Sequence, residues 1–372
     1  MNDLSSAIDG SGVTRIGALV PLSRPGWVEA GRHLLAGLEL GAAETSLELV
    51  VRDTAADPER AVAAVDEFAR MGVAAVAGEY HSVVARAAAA RADELGLPFL
   101  CSSAVLDALT DRPTDQVARV APPQSRGWTL FAEHLRATGH TRVAVAADAS
   151  VYWAAGTRIL RETLTVVELD LDDDVADQLV AQRATAVLLL VGAPEKAAGI
   201  VDAVRADERL AGVLIGAPAG QPELAEWAAL LGDGGAAIPF LRDLPERLTA
   251  LGARVEAALT ERLGQAPSFV AFEGYDTMLA LAERVRSGTS TWSTVAVEGT
   301  RGRIHFSRVP GISVWQWAWP PIQVVDRDPS SPDRFRVLRS YAASMSGTPN
   351  ACRTPDCASV DRPSPGSSSS AA

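Results

Sequence analysis

The chain is short of the residues that staple proteins together or do their chemistry. Three cysteines occur in 372 residues: Cys101 within an apolar run, and Cys352 and Cys357 in a tail rich in proline and serine. So few thiols cannot form a disulfide framework, and the fold must rest on apolar burial. Cys352 and Cys357 lack a second pair or a nearby histidine, which argues against zinc. The five histidines (His33, His81, His134, His140 and His305) are scattered without a His-x-x-x-His spacing. Lys196 is the single lysine, and it does not follow a phosphate-cradling Gly-x-x-x-x-Gly. A Gly-x-Ser-x-Gly elbow is missing too. These absences predict a protein that is not an enzyme and uses no cofactor or metal.

Positive charge and long apolar runs are also lacking. The net charge is −12 and basic residues do not cluster, so nucleic acid is not expected as a partner. No run reaches the roughly 18 apolar residues of a membrane span, so membrane insertion is not expected. The opening MNDLSSAIDGSGVTR shows neither the basic region nor the apolar region of a secretory leader. As written, the chain is expected in the cytoplasm; it would be extracytoplasmic if a leader had been removed.

What the chain does have is an alternation of apolar strands and helices. A length of 372 residues predicts two domains of roughly 100–200 residues each. Strands are expected at 14–21, 46–52, 73–77, 98–101 and 116–120, with helices at 27–41, 58–71 and 83–95 between them. The rhythm restarts after Pro122-Pro123, with strands at 141–147, 164–169, 184–191, 211–216 and 236–240. Long helices follow at 244–263 and 269–286. Strands this apolar have no wet face, which is the mark of a parallel sheet covered on both sides. The fold class is therefore α/β with two lobes in tandem, and a ligand site is expected between them.

The most informative stretch runs from Val73 to Thr110. Two apolar strands there end in small, hydroxyl-bearing loops, Gly78-Glu79-Tyr80-His81-Ser82 and Ser102-Ser103-Ala104. In parallel sheets such strand ends, with the helix N-termini that follow them, face the crevice where ligands bind. Ser82 reads equally as a cap of the helix after it, which serine performs well. Ser103 could contact ligand or only start the turn from Ala104 to Thr110. Tyr80 and His81 could touch ligand or cover the loop from outside. Trp27 could border the ligand or staple the start of its helix. Trp315, Trp317 and Trp319 alternate along a strand and are expected to pack against the second lobe. The acidic run Asp170, Asp172, Asp173 and Asp174 reads as solvated loop.

As an ordered set, these motifs resemble the type I periplasmic binding proteins of the leucine/isoleucine/valine-binding group, solute receptors of ABC transporters. Residues 16–41 are similar to that family's first strand, Pro-Leu-Ser loop and first helix. Residues 51–110 are similar to its Arg-Asp strand end, Gly-x-x-x-Ser turn and Pro-x-x-x-Ser segment. PSFVAFEGYDTMLAL at 267–281 and the Gly-x-x-Gly-x-Ile-x-Phe run at 299–306 are similar to its later signatures. The resemblance spans roughly residues 14–326. It implies two Rossmann-like lobes joined by three crossovers: 14–121 with 242–296, and 122–241 with 297–326. Residues 345–372 form a tail expected to be disordered, because its composition cannot bury enough apolar surface.

The resemblance also implies roles for particular residues. Ser82, Ser103 and the amides around Ala104 would hold an anionic or carbonyl end of the ligand, and Tyr152 would cover it from the second lobe. Tyr80, His81 and Trp27 complete the candidate set. The threonine expected two places after Ser103 is Val105, and the aromatic expected after the strand ending at Val191 is replaced by Gly192-Ala193. The acid that would pair with a ligand ammonium falls near Pro218, where there is no carboxylate. The function implied is non-enzymatic binding of a small polar molecule by hinge closure for ABC-type uptake, with permease subunits as partners. The alternatives are a cytoplasmic sensor acting on a protein partner, and a relative that keeps the fold as an interaction surface.

Overall fold

The computed structural model describes residues 13–341; Cys352, Cys357 and the tail expected at 345–372 lie outside them. The first half of the first lobe follows the predicted rhythm: β1 (Arg15–Val20), α1 (Val28–Thr45), β2 (Glu48–Asp53), α2 (Pro58–Met71), β3 (Ala75–Gly78), α3 (Ser82–Glu94), β4 (Phe99–Cys101) and β5 (Val117–Arg119). Local signals set the element ends. Asp57 caps α2 by accepting from Glu59 N and Arg60 N, Pro58 opens the helix, and Gly72 closes it in the left-handed region at φ 66°.

The chain then crosses to the second lobe. Its elements are α4 (Gln124–Ala137), β6 (Arg142–Ala147), α5 (Val151–Arg161), β7 (Thr165–Glu168), α6 (Val175–Gln182), β8 (Ala186–Leu190), α7 (Pro194–Ala206), β9 (Leu214–Gly216), α8 (Ala225–Leu231) and β10 (Phe240–Arg242). It returns through α9 (Ala250–Leu263) and α10 (Phe269–Ser287) to β11 (Ala296–Glu298), β12 (Arg303–Ser307) and β13 (Trp315–Trp317). It crosses a third time into the hairpin β14 (Ile322–Asp328) and β15 (Ser331–Tyr341).

Eight strands form the first sheet in the order β11-β12-β13-β5-β4-β3-β1-β2, and β7-β6-β8-β9 form a four-stranded parallel sheet in the second lobe. A three-stranded antiparallel sheet, β10-β14-β15, joins the latter through a bridge between Ala217 and Phe240. Two apolar clusters sit on opposite faces of each main sheet, α1 and α10 against α2 and α3 in the first lobe, and α6 to α8 against α4 and α5 in the second. This double cover explains strands without a polar face.

Several expectations are corrected. Residues 297–317 do not join the second lobe; β13 runs parallel to β5, pairing Trp315 with Ala118 and Gln316 with Arg119. Gln316 fixes that register, because its side chain accepts from Arg119 Nε at 2.8 Å and donates to the Ala121 carbonyl at 2.7 Å. Consequently Trp317 is buried in the first lobe's core beneath the Arg301 guanidinium, and Trp315 stacks with Arg308, rather than both packing on the second lobe. Trp319 is 40 % exposed and stacks on Arg126. The helix expected from Leu244 starts only at Ala250, since residues 243–249 are spent on the crossover and Thr249 caps the helix. Residues 331–341, to which the sequence pattern assigns no element, pair with β14 as an edge strand.

Close packing of α1 on α10 needs glycine. A Cβ on Gly37 would lie 1.9 Å from the Ala271 carbonyl oxygen, and one on Gly274 would lie 2.5 Å from that of Leu34. The two helices thus touch backbone to backbone, holding α10 rigidly beside the strand ends of the first sheet.

Candidate ligand-binding cleft

The carboxyl ends of β1, β3 and β4 in the first lobe face those of β6, β8 and β9 in the second. Between them lies a cavity of about 320 Å³. Trp27, Tyr80, His81, Ser82, Ser103 and Tyr152 all line it. Ala104 does not; it is completely buried behind them.

Each loop is built by the strand before it. Asp53, at the end of β2, accepts from the amides of Leu22 at 2.7 Å and Ala55 at 2.8 Å, tying down the loop that leads to Trp27. The loop after β3 is organised by Glu79. Its Oε1 accepts from the amides of Tyr80 at 2.8 Å and His81 at 2.9 Å, and its Oε2 accepts from the Thr54 hydroxyl at 2.7 Å. Burial pushes the Glu79 carboxyl up to about 7 despite these three donors.

The amides expected to hold an anionic ligand are therefore already used. The Glu79 carbonyl accepts from the amides of Ser103 at 3.3 Å and Ala104 at 3.1 Å, and Ser82 Oγ accepts from Val105 N at 3.3 Å. Ser82 is also not the cap of α3, a position that His81 occupies without a side-chain bond. Its hydroxyl ties the third strand's loop to the fourth's. Ser103 Oγ makes no hydrogen bond of good geometry, although it lies near enough to favour the charge of Glu273.

Aromatic rings face one another across the cavity. On the first lobe Trp27 meets His81 edge-on at 4.6 Å between centroids and Tyr80 at 6.0 Å. On the second, Tyr152 packs on Trp153 at 4.6 Å and meets Trp128 edge-on at 5.9 Å. Gly192 has no side chain to offer, yet the space is filled. A Cβ built there would meet the Trp27 ring at 3.5 Å, so a ring from the first lobe takes the position of the aromatic absent from the second. Burial, with Arg24 nearby, pushes His81 down to about 4, leaving a neutral ring in the cavity wall near neutral pH.

Two carboxylates line the cleft, and neither was among the sequence candidates. Asp148, after β6, is engaged: it accepts from Lys196 Nζ at 2.7 Å and from Gly192 N at 3.0 Å. Asp243, directly after β10 on the second crossover, is 6 % exposed. Burial first, and then the charge of Glu223, hold its carboxyl above the usual range, while Arg301 and Arg126 oppose the shift. Pro218 and Ala219 line the cavity where the aligned acid is missing. Asp243 is hard to find from the sequence because it lies between the strand expected to end at Phe240 and the helix expected from Leu244, whereas β10 in fact runs to Arg242. Its signal was present, an acid at the carboxyl end of a strand.

Beneath the cleft, Arg301 is fully buried. It donates to Asp276 Oδ2 at 2.9 Å, Glu273 Oε1 at 3.2 Å and the Asp243 carbonyl at 3.3 Å. The crossovers are cross-linked as well, since Arg126 Nη1 at the first donates to the Pro320 carbonyl at the third at 2.6 Å. No group of three or more metal-ligating side chains occurs among the described residues, and no described helix is long and apolar enough to cross a membrane.

The comparisons agree with this geometry. Leucine-binding protein LivK of Thermotoga maritima is similar in fold, with a TM-score of 0.73, 17% identity, and coverage of 89% of this chain and 99% of that one. LivJ of Streptococcus pneumoniae, a branched-chain amino-acid transporter substrate-binding protein solved with isoleucine, has a TM-score of 0.73 at 16% identity, covering 88% and 99%. A solute-binding protein of an ABC transporter from Rhodopseudomonas palustris, solved with 3,4-dihydroxybenzoic acid, has a TM-score of 0.73 at 16% identity, covering 90% and 99%. No curated protein sequence matches the chain. Residues 13–311 match the family described as periplasmic binding protein, and the chain belongs to that family, whose members bind solutes rather than transform them.

Proposed function

We propose that this protein is a solute receptor that closes two lobes on a small molecule and presents the closed form to the permease of an ABC transporter. The supporting observation is the cleft itself, a cavity of about 320 Å³ at the facing strand ends of two parallel sheets, with aromatic rings on both walls. Burying a solute against Trp27 and Tyr80 on one side and Tyr152 on the other rewards closure, because only the closed form surrounds the ligand. Hydroxyls at Ser82 and Ser103 and the amides of Gln124 and Gln221, which also line the cavity, would orient its polar groups. Gln124 Oε1 and Gln221 Oε1 are buried without partners, so acceptors stand ready for a ligand's donors.

The family's extracytoplasmic setting extends to this chain as part of the same proposal. A thermal-shift screen tests it. A ligand at about 100 times its dissociation constant stabilises by about 2.7 kcal/mol, and Tyr152→Ala should abolish the shift for the best solute. A hit whose shift survives that substitution would place binding elsewhere.

A further inference from the structure

We propose that the cleft selects a solute carrying a protonated amine, and that Asp243 is the carboxylate that receives it. The proposal rests on the reading of the cleft as a solute site and names the chemistry of its occupant.

Asp243 is almost fully buried and lines the cavity, yet among the described residues no hydrogen bond or ion pair engages its carboxylate. The natural internal partner, Arg301, bonds only the Asp243 backbone carbonyl and gives its guanidinium to Asp276 and Glu273. An unpaired buried carboxylate is costly, and the cost is relieved when a cation arrives. The other cleft carboxylate, Asp148, is already paired with Lys196.

The surroundings favour a cation for two further reasons. Tyr80 and Tyr152, one from each lobe, line the same cavity as Asp243, and its charge acts on both. Glu273, Glu223 and Glu29 also oppose a further negative charge at Tyr80, although Arg301 and Arg126 partly offset the charge of Asp243 itself. Aromatic faces around a desolvated carboxylate suit an alkylammonium, which gains from the ring quadrupoles as well as from the ion pair. An anionic end finds the opposite. The loop amides of Tyr80, His81, Ser103, Ala104 and Val105 are bonded within the chain, and Arg24 at the mouth is exposed. The amine should therefore need no neighbouring carboxylate.

The test uses matched probes on two carbon frames, measured by calorimetric titration of the full chain. They are isopentylamine, isopentanol and 4-methylpentanoate, then 2-phenylethylamine, 2-phenylethanol and 3-phenylpropionate, with leucine and phenylalanine added. The expected result is that an amine binds at least 30-fold more tightly than its alcohol or acid, and no more weakly than the corresponding amino acid. Asp243→Asn should remove that preference, with a loss of at least about 30-fold for the amine. The comparison among probes on the unaltered chain stands even where the variant folds poorly. If an alcohol or acid binds as well as its amine, or an amino acid binds where its amine does not, the inference is overturned and the solute receptor stands. If no probe of any charge binds, the reading of the cleft falls and the inference with it.

Discussion

Glu29, on α1 of the first lobe, reaches across to the second and accepts from the Ala225 amide at 2.8 Å, with its other oxygen accepting from Glu226 N at 2.8 Å. It thereby caps α8. The favour is returned from the other side, where Glu223 of the second lobe accepts from the Phe269 amide at 3.0 Å, at the start of α10. Two helix N-termini, one in each lobe, are capped by a carboxylate from the opposite lobe. Opening the cleft must expose all these amides.

Glu29→Ala should therefore shift the lobes toward the open form. Since a ligand that requires the closed form loses affinity in proportion to its population, titration should show a loss of about 5–30-fold without any change in the cleft lining. Unchanged affinity would mean that the capping contacts do not govern closure.

Gly192→Leu should crowd the Trp27 ring, which already sits 3.5 Å from where a Cβ would be. The ring would be displaced toward solvent, read as a red shift in tryptophan emission on excitation at the indole band. Ligand affinity should fall about tenfold. Urea unfolding should change by less than about 1 kcal/mol, because Gly192 is only half-buried.

Arg301→Met should be among the most damaging substitutions in the first lobe. It would strand Glu273 and Asp276, whose side chains are both 0% exposed, without their counter-ion. Removing one partner of a buried ion pair costs about 3–5 kcal/mol, which denaturant unfolding would detect. Asp276 would keep its bonds from Thr300 N and the Thr300 hydroxyl, so Glu273 is the group left most exposed to the loss.

Stability should fall between about pH 6.5 and 8.5. Burial raises the Glu79 carboxyl to about 7 and holds Asp243 and Glu273 above the ordinary range. A group whose native pKa is raised contributes stability below its unfolded value and loses it as pH rises through the native one. His81 and His134, both lowered to about 4 by burial, act in the opposite sense, losing their contribution as pH falls below about 6.5. The two trends oppose each other between about pH 4.5 and 6.5. Above that only the carboxyls titrate, so unfolding free energy should drop by about 1–3 kcal/mol by pH 8.5. A flat or rising profile there would mean that burial does not raise these carboxyls in the native protein.

Much of the fold is legible in the sequence because parallel strands covered on both sides leave an unbroken apolar signature. The strand ends after β3 and β4 declare themselves for the same reason, and Ser82, Ser103, Tyr80 and His81 do lie on the cavity wall. What is not legible depends on tertiary pairing. Whether 303–317 belongs to one sheet or the other turns on Gln316 meeting Arg119, nearly 200 residues away in the chain. Asp243 lies outside every periodic segment, and only the folded crossovers bring it to the wall of the cavity that the two tyrosines also line. Residues 331–341 look too polar for a strand because they form an edge, where one side faces solvent. Conversely, loop amides that look free for a ligand are taken by Glu79, a bond that spacing alone does not reveal.

The most direct test of the account is small-angle X-ray scattering on the full chain, alone and saturated with the best solute from the screen. A clamp that closes on its ligand should show a smaller radius of gyration when saturated, and the difference should be largest in the Glu29→Ala variant, whose unliganded lobes start further apart. A solute that binds in the cleft and leaves the radius of gyration unchanged in both proteins would contradict it.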